Sequence, residues 1–239
     1  MTTSTILLDL DNTLLGNDMK EFLPPYFALL HKHFQEFTDI QTLWQVTLSS
    51  VQNIHAQPAE TDNRVETFII EFSRQMGQPL DVVRQAWDTF YQEDFPKLKA
   101  YTTPRPEAET VVRRLLADGH QVVIATNPLF PAAAIEQRMV WAGVHDFPYA
   151  RVTTMENSRY FKPDPRYYRE ILAKVNGAPE SAWMVGDDPV NDIEPARSLG
   201  LRTWWITPNG PSAQIPPPES DKQGSLSDFL AWIESGGLD

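Results

Sequence analysis

Thr5-Ile-Leu-Leu-Asp9-Leu-Asp11-Asn-Thr13 decides the fold. It opens on a short, unbroken apolar run, which predicts a buried strand over residues 5–10. The run ends in carboxylates, and in open parallel sheets ligands bind just outside the carboxyl ends of the strands. Alternation along an extended backbone puts Asp9 and Asp11 on the same side. Carboxylates so close repel each other unless a cation or a shared proton intervenes. One of such a pair can attack phosphorus while the other handles the proton of the leaving group.

Outward from this stretch the same unit recurs. Gln121-Val-Val-Ile-Ala-Thr126 is a second apolar strand ending in polar residues, and Arg151–Thr154, Ala182–Gly186 and Arg202–Thr207 are further strand candidates. Between them helices are predicted from Pro106 to Gly119, over Pro131–Ala142 with Gly143 past the end, over Pro165–Asn176 and over Val190–Leu199. Strand alternating with helix predicts an α/β fold, a Rossmann-like parallel sheet with helices on both faces. Trp204 and Trp205 then point to opposite faces, each packed on helices.

Residues 16–100 break that alternation. Ile40, Leu43, Trp44, Leu48, Val51 and Ile54 repeat at helical spacing, as do Val65, Phe68, Ile69, Phe72 and Met76, and then Val82, Val83, Ala86, Trp87 and Phe90. The expectation is an all-α domain at 16–100 inserted into an α/β core of 1–15 and 101–239. Pro24-Pro25 is expected to break or kink its first helix. Pro208–Gly224 reads as an irregular surface connection, and Ser225 or Ser227 as the cap of a last helix through Ile233.

Composition excludes several functions. Hydrophobic residues make up 41% of the 239 and charged residues 22%, which fits a globular protein and not a disordered one. No apolar run approaches the roughly 18 residues that span a bilayer. Met1–Ser4 has no basic residue before its apolar run, so no secretory signal is read, and the absence of cysteine fits a reducing, cytoplasmic setting. A net charge of −12 with no Lys/Arg cluster argues against nucleic acid. Any phosphate site must therefore be built locally, from a cation and a few aimed donors. The histidines do not form a metal pair: His31 and His33 are two apart and face different sides of a helix. Oligomeric state is not readable.

The chemistry-bearing residues lie at predicted strand ends or, for Lys162, just before a predicted helix at the same edge of the sheet. Thr126-Asn127 offers a hydroxyl and a backbone N–H for phosphoryl oxygens. Lys162, stiffened by the prolines of Phe161-Lys-Pro-Asp-Pro165, offers a point charge suited to phosphate. Gly186-Asp187-Asp188, with Asp192 four residues on, supplies hard oxygen donors of the kind Mg2+ takes while keeping several waters. Taken singly these are ordinary turn, cap or solvated residues; their occurrence in this order, each at the same sheet edge, is not.

Together Asp9-Leu-Asp-Asn-Thr13, Thr126-Asn127, Lys162-Pro-Asp-Pro165 and Gly186-Asp-Asp-Pro-Val-Asn-Asp192-Ile193 resemble the haloacid dehalogenase superfamily, in its subgroup with a helical cap between the first two motifs. The resemblance implies a Mg2+-dependent phosphatase acting on a small phosphorylated metabolite through an aspartyl-phosphate. Asp9 would be nucleophile and metal ligand. Asp11 would be general acid, then base, and would bind Mg2+ through its backbone carbonyl. Thr126, Asn127 and Lys162 would hold the phosphoryl group. Asp187 would bind the metal, Asp188 would support its shell, and Asp192 would orient Lys162 or the metal waters. The resemblance also implies closure of the cap, with hinges near Leu14–Asn17 and Ala100–Pro104. Glu194-Pro195-Ala196 departs from the family, which usually has glycine before the alanine. Family members that cleave carbon–halogen or carbon–phosphorus bonds lack a carboxylate at the position of Asp11. A phosphomutase would keep every motif, and a non-catalytic binding protein would be expected to lose one. The leaving group stays open between a sugar phosphate, a phosphorylated carboxylic acid and a nucleoside monophosphate.

Overall fold

The apolar run is the middle of the molecule. In the computed structural model, which describes residues 3–56, 63–207 and 219–238, Thr5–Leu8 is strand β1 and lies third in a six-stranded sheet. A two-residue strand β2, Leu15–Gly16, follows, then helices α1 (Met19–Phe34), α2 (Ile40–Ala56), α3 (Val65–Met76) and α4 (Leu80–Thr89). A π-helical turn, Phe90–Asp94, and a 3-10 helix, Phe95–Tyr101, lead to β3, Thr103–Pro104. The chain then alternates: α5 (Ala108–Ala117), β4 (Gln121–Ile124), α6 (Ala132–Trp141), β5 (Arg151–Val152), α7 (Pro165–Val175), β6 (Ala182–Gly186), a π-helical turn at Pro189–Ile193, α8 (Glu194–Ser198), β7 (Arg202–Ile206), β8 (Lys222–Gly224) and α9 (Leu226–Glu234).

The sheet order is β5-β4-β1-β6-β7-β8, every pair parallel. The chain leaves β1 toward β4 on one side and returns to β6 on the other, so the strand order reverses beside β1 and opens a crevice there. Register aligns the three central strands: Leu8 lies opposite both Ile124 and Val185. Alternating side chains feed two cores. Ile6, Leu8, Val122, Ile124, Val185 and Trp204 pack on one face with residues of α5, α6 and α9, and Leu7, Val123 and Met184 pack on the other with α7 and α8.

Three expectations change. Of the break or kink expected at Pro24-Pro25, the break does not occur; α1 runs through both prolines. Each interior proline costs a helix about 3 kcal/mol. Against that, α1 buries Phe22, Tyr26, Phe27, Leu30 and Phe34, each contributing about 1.5–3 kcal/mol, and burial prevails. The helix expected over 190–199 is split, with a π-helical turn before α8. Pro195 has no N–H to give the carbonyl of Asn191, and the Tyr168 hydroxyl donates to that carbonyl instead. The connection expected to be irregular through Gly224 ends in β8; its residues 208–218 lie outside the described ones. Ser225 caps α9 in a capping box with Asp228.

At the two ends of the helical insertion the sequence suggested only hinges. There β2 and β3 pair antiparallel, Leu15 with Pro104 and Gly16 with Thr103. Among the described residues no helix is long and apolar enough to cross a membrane.

Candidate active site

Because β1, β4 and β6 end side by side, the residues just past them meet. Asp9 follows β1, its N–H still bonded to the Val185 carbonyl at 2.9 Å, and Asp187 follows β6. Lys162 arrives from the loop before α7 and is buried. Its Nζ donates to Asp9 Oδ1 at 2.8 Å and to Asp192 Oδ1 at 2.6 Å. Carboxylate oxygens of Asp9, Asp187 and Asp192 all lie within 4.8 Å of one another. Asp192 reaches the group from the π-helical turn, its other oxygen accepting from the Asp188 N–H at 3.2 Å. Gly186 makes room for it: a Cβ there would collide with the Asp192 carboxylate.

Three carboxylates around one ammonium are undercompensated. Burial pushes Asp9 up to about 7; Lys162 opposes the rise and the neighbouring charges of Asp192 and Asp11 add to it. Asp187 is pushed up to about 8, again by burial first and then by Asp9 and Asp192. Burial works against the Lys162 charge, but Asp192 and Asp9 hold its ammonium well above the ordinary value. A divalent cation among these oxygens would relieve the repulsion, and an all-oxygen donor set supplied by few side chains fits Mg2+.

Asp11 is elsewhere. Its carboxylate is not in the converging group; Oδ1 accepts from Asn17 Nδ2 at 2.8 Å and Oδ2 from Arg138 Nη1. Asp188 uses both oxygens as the cap of the π-helical turn, accepting from the Val190 and Asn191 N–H groups at 2.9 and 3.0 Å and from Asn191 Nδ2 at 2.6 Å. Thr126 is buried beyond β4, its carbonyl held by the hydroxyls of Thr153 and Tyr167, each at 2.7 Å. Asn127 Oδ1 is buried and makes no hydrogen bond to the described residues.

Sequence reasoning missed Arg138, Asn17, Thr153, Tyr167 and Trp205. Trp205 was expected to pack on a helix; its Nε1–H donates to the Asp187 carbonyl at 2.9 Å and so fixes the loop carrying that aspartate. Trp204 does pack on α9, its ring centroid 5.2 Å from those of Phe229 and Trp232. The run of apolar strand residues could have flagged two indoles in one strand, but not the hydrogen bond.

A cavity of about 410 Å3 opens between α1–α4 and the loops that follow β4 and β5. Leu23, Val51, Phe68, Trp87 and Phe130 make much of its wall, with Arg84, Asp88 and Glu156 its charged members. The carboxylate cluster does not line it. Phe130, which lines the cavity, lies under the guanidinium of Arg138, the residue paired with Asp11, at 4.6 Å.

A parallel sheet with an acidic cluster and a buried lysine at its switch point places this chain among α/β proteins with a charged site at the carboxyl edge of the sheet. A family model described as haloacid dehalogenase-like hydrolase matches residues 3–200, and the chain belongs to that family. Among curated proteins, it is 34% identical over 102 residues to the phosphoserine phosphatase of Thermus thermophilus, covering 42% of this chain and 39% of that protein. It is 29% identical over 108 residues to the glyceraldehyde 3-phosphate phosphatase of Pyrococcus furiosus, covering 44% and 43%. The chain thus spans under half the length of these two relatives. Among solved structures, a 2-haloacid dehalogenase from Pseudomonas syringae pv. Tomato superposes with a TM-score of 0.68 at 19% identity, covering 98% of this chain and 100% of that one, a likeness of fold.

Proposed function

We propose that this chain is a Mg2+-dependent phosphoric monoester hydrolase, cytoplasmic, that cleaves a small phosphorylated metabolite through an aspartyl-phosphate on Asp9. The observation that carries the proposal is the buried Lys162 ammonium shared between Asp9 and Asp192, with Asp187 beside them. Two buried carboxylates and a half-buried third around one cation are an arrangement that burial alone would disfavour, and a phosphate-transfer site accounts for it.

Asp9 attacks phosphorus. The bond from phosphorus to the leaving oxygen breaks, and that oxygen takes a proton from Asp11. Water then attacks the same phosphorus, giving its proton to Asp11, and the bond to Asp9 breaks to release inorganic phosphate. Lys162 through its ammonium, and Thr126 and Asn127 through hydroxyl and N–H donors, hold the phosphoryl oxygens. The carboxylates of Asp9 and Asp187, with the backbone carbonyl of Asp11, would hold Mg2+, and Asp188 and Asp192 support that shell. The metal would neutralise charge shared between the Asp9 carboxylate and the phosphate.

In this reading residues 1–15 and 101–239 form the catalytic core and 16–100 a helical cap, which moves about the β2–β3 ribbon. The apolar cavity under the cap accommodates the leaving group. Two relatives that act on phosphomonoesters of small metabolites by their names support the substrate class. The test is hydrolysis of p-nitrophenyl phosphate with and without Mg2+, beside Asp9→Asn, followed by a screen of phosphorylated metabolites ranked by kcat/KM. Activity that is Mg2+-dependent and absent in Asp9→Asn is expected. Activity in Asp9→Asn equal to wild type would refute it.

A further inference from the structure

Arg138 stands in the last turn of α6 and is 1% exposed, the largest fully buried side chain among the described residues. An arginine buried to support a fold normally spends its donors on several carbonyls or on a bidentate carboxylate. Here Nη1 goes to Asp11 Oδ2, while Nε and Nη2 make no hydrogen bond to the described residues. The guanidinium is covered on one side by the Phe130 ring, and the start of α6 is held by Glu156, whose carboxylate accepts from the Ala132 N–H at 3.0 and 2.9 Å. The charge is thus delivered to one group at a fixed place.

That group is clamped from both sides. Asn17, 1% exposed, donates to the other Asp11 oxygen from the segment between β2 and α1. With one donor on each oxygen the carboxylate has a single orientation, yet each oxygen keeps a lone pair for a proton in transit. Proton transfer to a leaving group contributes about 10²- to 10⁴-fold only when the acid is well aimed.

We infer that Arg138, assisted by Asn17, is the positioning residue that aims Asp11 at the leaving-group oxygen. The inference rests on the phosphatase reading above. Arg138 does not touch the phosphoryl group in this scheme; it acts through Asp11.

A role confined to the leaving group has a signature that a packing role lacks. The value of an acid grows as the leaving group becomes more basic, so kcat/KM is measured for a series of substituted phenyl phosphates, from p-nitrophenyl to p-methoxyphenyl. The enzymes are wild type, Arg138→Met, Arg138→Lys, Asn17→Ala and Asp11→Asn, each with Mg2+ and each checked by thermal melting. Arg138→Met is expected to steepen the dependence of kcat/KM on phenol basicity, losing about tenfold more on the most basic phenol than on p-nitrophenol. Arg138→Lys, which restores charge without the planar fork, should recover part of the slope. Adding Arg138→Met to Asp11→Asn should change the slope no further, because the two act as one unit. A parallel drop across the series, with the wild-type slope kept in both Arg138→Met and Asn17→Ala, would overturn the inference while leaving the phosphatase reading intact. If Arg138→Met does not fold, Asn17→Ala decides alone by the same slope. Wild type inert toward every ester with Mg2+ would remove the phosphatase reading and this inference with it.

Discussion

The sheet edge and the helical insertion solve opposite problems. At the edge, buried and half-buried charges are given specific partners: Lys162 by Asp9 and Asp192, Asp188 by a helical turn, Asp11 by Asn17 and Arg138. In the insertion, the cavity wall is largely apolar and aromatic, with rings packed edge to face, such as Trp87 with Phe68 and Phe72, both 5.4 Å away. One region is exacting about atoms and the other about volume. If, as proposed, the edge carries the chemistry and the insertion receives the leaving group, mutations in the two should fail in different ways.

The largest effect should come from the edge. Asp9→Asn is expected to lower kcat by about 10⁴-fold or more, with no covalent phosphate detectable by mass spectrometry after acid quench. Thermal stability of the metal-free protein should not fall, since a repelled carboxylate has gone. Residual turnover within tenfold of wild type would break the contrast, because the edge would then not be exacting.

Next is Lys162→Met, which strands Asp9 and Asp192 without their buried cation. Removing one partner of such a pair costs about 3–5 kcal/mol, on the order of 10 °C or more in Tm for a chain of this length. A melt within about 2 °C of wild type would mean that the ammonium is not the charge that holds the cluster.

The cluster also sets a pH dependence. Asp9 and Asp187 are raised to about 7 and about 8 from 3.8, so the folded chain binds protons that the unfolded chain has released. Their contribution to stability is fully present below 3.8 and is lost as pH rises through about 7 and about 8. Metal-free protein should therefore melt lower at about pH 8 than at about pH 6, by up to roughly 1.4 kcal/mol per group per pH unit. Asp39, Asp94 and Asp164 are shifted down, so they are ionised in both states across this window and do not oppose it. Saturating Mg2+ should flatten the profile. Equal melting temperatures at the two pH values without metal would show that the carboxylates are relieved in some other way.

How much of this was legible follows the same division. Asp9 and Asp187 could be brought to one edge from sequence because strand ends announce themselves, an apolar run stopping where polar residues begin; Lys162, before a helix, and Asp192, four residues past Asp188, followed from the motif spacing. Arg138 could not. It lies on a helix among Ile135, Met139 and Trp141, and in the pattern it is simply the charged residue of an apolar face. Its role is visible only when the packing of α6 brings it 127 residues back to Asp11. Pro24-Pro25 misled for a related reason: local propensity argues for a break, and the aromatic face of α1 overrules it. The split at Pro195 was half legible, as a departure in the motif, but its remedy by the Tyr168 hydroxyl needed the fold.

The smallest effect should come from the insertion, and it sharpens the comparison most. Val51 lines the cavity from α2 and is remote in sequence from every residue assigned to chemistry. Val51→Phe adds bulk to a space of about 410 Å3 without creating a buried polar group, so the fold should tolerate it. If the cavity receives the leaving group, the enzyme should lose preference for large esters: the ratio of kcat/KM for phenyl phosphate to that for methyl phosphate falls by about three- to tenfold. If both substrates lose equally, the insertion acts on the chemistry itself and the two regions are not separate. If neither changes, the leaving group sits outside the cavity, nearer the clamp that Asn17 and Arg138 place on Asp11, and selection would have to be sought there.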